Sequence, residues 1–103
     1  MTTIKKSELM RELGGFLRVE NLESRNGCGS APNQFELTFE HGYVFQSYRS
    51  LVGVKMDDGR IFFSGYHDCS NTTSGYCGRW CGYDCKTRRK MLADGRAVYI
   101  EEE

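Results

Sequence analysis

The sequence predicts an α+β fold in which a curved antiparallel sheet packs against one long helix in the C-terminal half. Three observations predict it: a short amphipathic segment near the N-terminus, a series of strand-like segments in the centre, and a longer amphipathic segment after them. With 103 residues the chain has room for one hydrophobic core, so residues 1–103 are interpreted as a single domain. The formal net charge of zero argues against a generally basic nucleic-acid binder.

The N-terminal third predicts a short helix, a strand and a loop. Residues 4–13 are typical of a helix because Leu9, Met10 and Leu13 share one face, and two glycines follow them. Residues 16–21 are typical of a first strand. Residues 24–33 contain the single proline among small and polar residues, which favours a loop.

The centre of the chain predicts an antiparallel meander. Phe35, Leu37 and Phe39 alternate with polar residues, a period of two that places them on one sheet face. His41-Gly42 is a plausible two-residue turn into a strand at residues 43–48.

Asp58-Gly59 predicts a hairpin between residues 51–56 and 60–65, because this dipeptide is a strong signal for a tight turn. A two-residue turn at this point would place Met56 opposite Ile61 and Val54 opposite Phe63.

Residues 74–94 predict a single amphipathic helix. They contain no proline, they follow possible N-caps at residues 70–73, and Gly95 comes directly after them. At 100° per residue one broad arc is apolar: Tyr76, Cys77, Trp80, Cys81, Tyr83, Cys85, Met91 and Leu92. Three interior glycines each cost about 1 kcal/mol relative to alanine in a helix. A last strand is expected at residues 97–102.

The order of these signals resembles a family of small uncharacterised phage and mobile-element proteins. The resemblance covers about residues 35–100 and is carried by Phe45-Gln46-Ser47-Tyr48, Leu51-Val52-Gly53-Val54, Asp58-Gly59, and Ser70-Asn71-Thr72-Thr73 entering a helix. His67 and Cys69 stand where that family would have aromatic residues. The resemblance implies an origin rather than an activity, and by analogy with anti-CRISPR proteins it implies binding to a host or defence machine.

The five cysteines leave three alternatives open. Helical spacing places Cys77 and Cys81 one turn apart, so two thiolates can meet at one zinc ion, with Cys69 or His67 as a third ligand and Cys85 or Cys28 as a fourth. Paired CxxC motifs are absent, and cysteine also packs well as a small buried hydrophobe. Redox or disulfide roles are the third alternative. No cofactor is expected if the thiols only fill the core.

A basic surface is the strongest candidate for partner binding. The arc opposite the apolar one carries Arg79, Lys86, Arg89 and Lys90, and Arg88 and Arg96 lie in the same basic window. Gly78 and Gly82 lie on this arc and keep the helix surface low, so a partner's backbone or a phosphate can approach closely. The loop at residues 26–30 is a possible neighbour of this surface. A solvated helix face is the simpler interpretation of such a charge run.

A non-enzymatic function is expected. The sequence predicts a phage-type accessory protein that binds and blocks a bacterial protein or ribonucleoprotein, with a defence-system inhibitor as one form. The alternative is a small zinc-containing or nucleic-acid-binding module. The third hypothesis is a thiol enzyme built on His67 and Cys69, with His41 interpreted as a turn residue.

The N-terminus lacks an apolar export segment, which predicts a cytoplasmic protein with reduced thiols.

Overall fold

The computed structural model describes residues 1–24, 27 and 29–102. It contains a seven-stranded sheet and three α-helices among these residues, and a short 3-10 helix at Gly65–Asp68. In chain order the elements are β1 (Thr3–Lys5), α1 (Lys6–Leu13), β2 (Phe16–Glu23), β3 (Ser30–Phe39), β4 (Gly42–Ser47), β5 (Ser50–Met56), β6 (Ile61–Phe63), α2 (Asn71–Cys81), α3 (Cys85–Asp94) and β7 (Val98–Glu101). The predicted α+β class is confirmed.

The sheet is mixed, with the strand order β1-β7-β6-β5-β4-β3-β2. Strands β2 to β6 form the predicted antiparallel meander. The prediction of an entirely antiparallel sheet is wrong, because β7 lies parallel to both β6 and β1. The chain leaves β6, passes through α2 and α3 and re-enters in the same direction, as a crossover connection between neighbouring strands requires.

Helices cover both faces of the sheet. On one face α1 buries Leu9 and Leu13 against residues that include Val54 and Phe62. On the other face α2 and α3 pack over a second apolar cluster: Phe45, Val52, Phe63, Tyr76, Cys77, Met91 and Leu92. Each large apolar side chain buried in this way contributes about 1.5–3 kcal/mol. The second cluster holds the C-terminal helices against the sheet.

The β5–β6 hairpin differs from the predicted register by one residue. Val54 lies opposite Phe62 and Lys55 opposite Ile61, so the expected pairs Met56–Ile61 and Val54–Phe63 are wrong. The loop has three residues, because the Met56 amide donates to the Arg60 carbonyl oxygen at 2.9 Å and Gly59 has a φ of 96°. A glycine in that conformation forms the bulge typical of three-residue hairpins.

Two further boundaries differ from expectation. The turn between β3 and β4 is Glu40-His41 rather than His41-Gly42, since Phe39 pairs with Gly42. Residues 3–5, predicted in part as the start of α1, form an edge strand beside β7. A three-residue strand is too short to show a period of two in the sequence.

The predicted single helix at residues 74–94 is wrong, because two helices occupy that stretch. Gly82 ends α2 in the left-handed region with a φ of 85°, and its amide donates to the Gly78 carbonyl oxygen at 2.8 Å. Asp84 begins α3 as its N-cap, accepting a hydrogen bond from the Thr87 amide at 2.8 Å. A C-terminal glycine followed by an acidic N-cap is a strong combination of stop and start signals.

Candidate functional site

The break between α2 and α3 creates an open groove of about 390 Å³. Its lining consists of small residues and a few polar ones: Ser74, Gly75, Gly78, Arg79, Gly82, Asp84 and Cys85. Because three of these are glycines, no side chain fills the groove along α2, and another backbone can approach closely. Three residues of the predicted contact surface, Gly78, Arg79 and Gly82, therefore meet at one site.

Arg79 lies between this groove and a second cavity of about 240 Å³. The second cavity is lined by Leu22, Glu23, Tyr76, Arg79 and Trp80. The guanidinium of Arg79 is exposed and lies 5.9 Å from the centre of the Tyr76 ring. One cation thus borders both a glycine-lined groove and an aromatic pocket.

Trp80 is held in place by contacts on several sides. Its indole Nε1 donates a hydrogen bond to Glu36 Oε2 at 2.7 Å, and its ring lies 5.7 Å from the Phe45 ring. The ammonium of Lys55 lies 4.5 Å from the Trp80 ring centre and donates to the Trp80 carbonyl oxygen at 3.2 Å. The aromatic wall of the second cavity is therefore preorganised.

The other predicted contact residues lie on α3 with different environments. Lys86 and Lys90 are exposed and form no salt bridge within the described part of the chain. Arg89 is also exposed, but its Nε and Nη2 atoms both lie 2.8 Å from Asp68 Oδ2. The charge of Arg89 is therefore largely neutralised within the protein. The loop at residues 26–30, proposed as a neighbour of this surface, lies partly outside the described residues.

Arg88 does not belong to the basic surface, because its side chain is completely buried. The guanidinium donates to His67 Nδ1 at 3.0 Å, to the His67 carbonyl oxygen at 2.9 Å, to the Tyr83 carbonyl oxygen at 2.7 Å and to Ser74 Oγ at 2.8 Å. These acceptors come from the 3-10 helix, from α2 and from the segment between α2 and α3. Arg88 therefore connects all the elements around the break.

Sequence reasoning placed Arg88 among the solvated cations and missed this role. One signal was present: Met91 and Leu92 follow Arg88 at three and four residues, and both are buried in the core beside it. Residues at that spacing share one helix face. The aliphatic stem of arginine is compatible with such a face, but the acceptors that satisfy the guanidinium lie in distant parts of the sequence.

His67 is buried and neutral in this arrangement. Because His67 Nδ1 accepts a hydrogen bond from Arg88, its proton lies on Nε2, which is 3.9 Å from Asp68 Oδ2. Burial is the main cause that lowers the pKa of His67; the Asp68 carboxylate opposes this shift, and the charges of Arg88 and Arg89 add to it. Burial raises the pKa of Asp68, but the Arg89 hydrogen bond and nearby positive charges outweigh it and the net shift is downward.

The cysteines occupy different environments. Cys77 is buried, Cys81 and Cys85 are partly exposed and Cys69 is exposed. The hydrogen bond from the Cys77 thiol is the main cause that lowers the pKa of Cys81, and the same bond, with burial, raises the pKa of Cys77. Cys85 Sγ lies 3.9 Å from Asp68 Oδ2. Two thiols one helical turn apart thus differ in acidity and in exposure.

The proposed zinc ligands are not brought together. Among residues 1–24, 27 and 29–102, no three His, Cys, Asp or Glu side chains are arranged to hold a metal ion. Cys28, which the zinc hypothesis uses as a possible fourth ligand, lies outside the described residues. His67 and Cys69 do not share a strand face as the thiol-enzyme hypothesis assumes, because residues 65–68 form a 3-10 helix in which His67 is buried.

No helix within the described residues is long and apolar enough to cross a lipid bilayer.

No curated protein matches the sequence, and no solved structure matches it. One family model, described as a family of unknown function (DUF8033), matches residues 18–95. This match begins within β2 and includes β3 to β6 and both helices of the groove, which is most of the chain. The chain therefore belongs to this family of unknown function, DUF8033.

Proposed function

We propose that the protein acts without catalysis, by binding a surface of a bacterial protein or ribonucleoprotein and blocking it. The observation that carries the proposal is the position of Arg79, exposed between the glycine-lined groove and the aromatic cavity of Tyr76 and Trp80. Arginine, tyrosine and tryptophan are the residue types that most often dominate the binding energy of protein interfaces. Here they lie together around two concave features.

The shape of this surface favours an inserted segment of the partner. The groove is open along α2 because Gly75, Gly78 and Gly82 carry no side chains, so a partner's backbone or an acidic side chain can reach the floor. Trp80 and Tyr76 are already held by contacts within the domain, so little side-chain ordering is required when the partner binds. A partner loop that carries an apolar side chain beside an acidic one fits both cavities.

The charge of the surface favours an acidic partner. Arg79, Lys86 and Lys90 are exposed, whereas Arg89 is paired with Asp68. We therefore assign the partner contact to Arg79 first and to Lys86 and Lys90 second. Arg89 is not assigned to the contact, because it is already ion-paired with Asp68. Exposed charges of this kind steer association and suppress wrong partners more than they add affinity.

The resemblance to small phage and mobile-element proteins supports a finer form of the proposal. In that form the chain is a cytoplasmic inhibitor of a host machine, such as a CRISPR-Cas defence complex. A protein that blocks a partner requires a stable binding surface and no reaction chemistry. An interface of standard size requires about 800 Å² of surface from each partner.

The test is capture of the partner by wild-type and variant proteins. A tagged wild-type chain is expected to retain a bacterial partner from lysate, and the purified partner is then titrated with each variant. Arg79→Glu is expected to weaken binding at least about tenfold, because it reverses the charge at the centre of the surface. The measurement is the Kd by calorimetry or surface plasmon resonance.

Arg11→Glu is the matched control, because Arg11 is equally a surface arginine but lies on α1, on the opposite face of the sheet. It is expected to leave the Kd within about twofold. If Arg79→Glu retains the same partner with the same Kd, the surface is wrongly assigned. If instead Arg79 is required for low-salt binding to short RNA or DNA and no protein partner is retained, the nucleic-acid-binding alternative replaces this proposal.

A further inference from the structure

The two edges of the sheet differ in length and in exposed apolar surface. The edge strand β1 has three residues, whereas the edge strand β2 has eight. On β2 the side chains of Phe16, Leu17 and Val19 are each more than half exposed. A long edge strand with unpaired backbone N–H and C=O groups and exposed apolar side chains is a template on which another strand can pair.

Two register shifts bound a regular stretch in the middle of β2. They fall between Phe16 and Arg18 and between Asn21 and Glu23, so residues 18–21 pair with β3 without interruption. A bulge bends the strand and disturbs the backbone ladder at the place where it occurs. The stretch at residues 18–21 is therefore the part of the edge best suited to receive another strand.

Charged and apolar side chains lie on opposite faces of this stretch. Val19 lies opposite Leu37, which packs against the apolar cluster under α1. Glu20 lies opposite Glu36, whose carboxylate accepts a hydrogen bond from the indole of α2. Side chains two residues apart on a strand share a face, so Arg18 lies with Glu20 on the α2 side of the sheet.

Arg18 and Glu20 form an ion pair along the strand. Arg18 Nε lies 3.2 Å from Glu20 Oε1, and both side chains are mostly exposed. The cross-strand neighbour of Glu20 on β3 is a second carboxylate, Glu36, and like charges directly opposite each other are unfavourable. A further cation next to Glu20 on the unpaired edge would offset this repulsion.

We propose that two copies of the chain form a dimer by antiparallel pairing of their β2 edges, centred on Val19. A two-fold axis between the two Val19 residues places Arg18 of each copy opposite Glu20 of the other copy, on the face that both already occupy. Four charges of alternating sign then lie side by side on that face. On the other face the two Val19 side chains meet and extend the apolar layer under α1, and the two sheets become continuous.

The charges select this register over its neighbours. A pair centred on Arg18 would place two guanidinium groups opposite each other, and a pair centred on Glu20 would place two carboxylates opposite each other. A shift by a single residue would set each charged side chain opposite an uncharged one of the other copy. Charges of one sign would repel a second copy, which is a common protection of edge strands. The opposite signs of Arg18 and Glu20 instead make β2 complementary to itself.

Sedimentation equilibrium of the purified chain measures the association. The wild type is expected to dimerise with a Kd below about 100 µM, a modest affinity because a contact made by one pair of strands is small. Arg18→Glu should raise the Kd at least about tenfold, because the two-fold axis presents the change twice and both ion pairs become pairs of carboxylates. Glu20→Arg should have the same effect through pairs of guanidinium groups.

Complementary variants test which residues meet. An equimolar mixture of the Arg18→Glu and Glu20→Arg chains is expected to form a heterodimer with a Kd near that of the wild type, because every cross-strand pair again has opposite signs. The double variant Arg18→Glu/Glu20→Arg keeps the net charge and the alternation of signs, so it should dimerise as the wild type does. Lys5→Glu is the matched control, because it reverses an exposed charge on β1, at the opposite edge of the sheet. It should leave the Kd within about twofold.

The proposal is overturned if the wild-type chain stays monomeric at about 500 µM, far above the expected Kd. It is also overturned if Arg18→Glu dimerises as tightly as the wild type, or if the mixture of the two single variants stays monomeric. Loss of association in Lys5→Glu and not in Arg18→Glu would assign the contact to the other edge and contradict the proposal. Arg18 and Glu20 are exposed, so the variants should retain the fold, which circular dichroism checks. Because only the purified chain is used, these outcomes are independent of whether a bacterial partner binds at Arg79.

Discussion

At the scale of single residues, Arg88 connects the parts of the chain on which the site depends. Its guanidinium bonds to His67, Ser74 and the Tyr83 carbonyl oxygen, and these lie in three different segments. It also lies directly behind the groove, since a Cβ at Gly78 would be 3.4 Å from Arg88 Nη1. The groove keeps its form because a buried side chain holds both of its helices.

Replacing Arg88 with methionine is expected to lower the free energy of unfolding by about 3 kcal/mol. Methionine fills much of the same space but leaves buried acceptors, among them the His67 and Tyr83 carbonyl oxygens, without a donor. Urea-induced unfolding followed by circular dichroism measures the change. Arg89→Met is the control: Arg89 is exposed and its ion pair with Asp68 should contribute no more than about 1 kcal/mol. Equal effects of the two variants would contradict the structural role of Arg88.

At the scale of elements, the break between α2 and α3 decides which residues form the site. A continuous helix would place Gly78 and Gly82 along one straight face. The left-handed Gly82 and the Asp84 N-cap instead begin a second helix, so Cys85 and Asp84 line the groove opposite Arg79. The concave surface is therefore a product of the break.

Two substitutions at the break distinguish two helices from one. Gly82→Ala is expected to lower stability by about 1 kcal/mol, because alanine is strained at a φ of 85°. Asp84→Ala is expected to lower the free energy of unfolding by about 1 kcal/mol through loss of the N-cap. In a continuous helix both changes would increase stability, since alanine is the better helix former. Thermal and urea unfolding measure the sign, and Lys86→Ala, at an exposed position on α3, serves as the neutral reference.

At the scale of the whole molecule, helices on both faces of an open sheet bury two apolar clusters. Strands β1 and β2 form the edges of the sheet, and β2 leaves Phe16, Leu17 and Val19 exposed. The crossover from β6 to β7 carries the 3-10 helix, α2 and α3, so the glycine-lined groove is built on one connection. Loss of contacts around His67 and Arg88 should therefore affect the stability of the whole domain.

Global stability is expected to fall as the pH decreases below about 6.5, the usual pKa of histidine. The net pKa of His67 is lowered in the folded state, because burial, together with Arg88 and Arg89, outweighs the opposing Asp68 carboxylate. The unfolded chain therefore binds a proton that the folded protein does not, which favours unfolding until the pH reaches the folded pKa. The measurement is urea unfolding at intervals between about pH 5 and pH 8.

His67→Gln should remove this part of the pH dependence, because glutamine keeps an acceptor for Arg88 and does not titrate in this range. His41→Gln, at an exposed turn residue, should retain it. A wild-type stability that is flat across the interval, or a His41→Gln profile that loses the slope, would show that His67 is not responsible.

The sequence determined the features that depend on local signals. The alternation at Phe35, Leu37 and Phe39 predicted β3, and the amphipathic spacing of Leu9 and Leu13 predicted α1. Ser70 caps α2 as expected, and Gly95 ends α3. Arg79, Gly78 and Gly82 were correctly expected to lie together on the surface of this region, because helical spacing alone places them near one another.

The tertiary structure decided the features that depend on partners far along the chain. The parallel pairing of β7 with β1 and β6 joins segments from both ends of the sequence, and no local pattern encodes it. The burial of Arg88 required acceptors from His67, Ser74 and Tyr83 to converge on one guanidinium. Local propensity and periodicity report on backbone conformation and on which face is apolar. Whether a charged side chain is solvated or buried depends on which hydrogen-bond acceptors the folded chain brings to it.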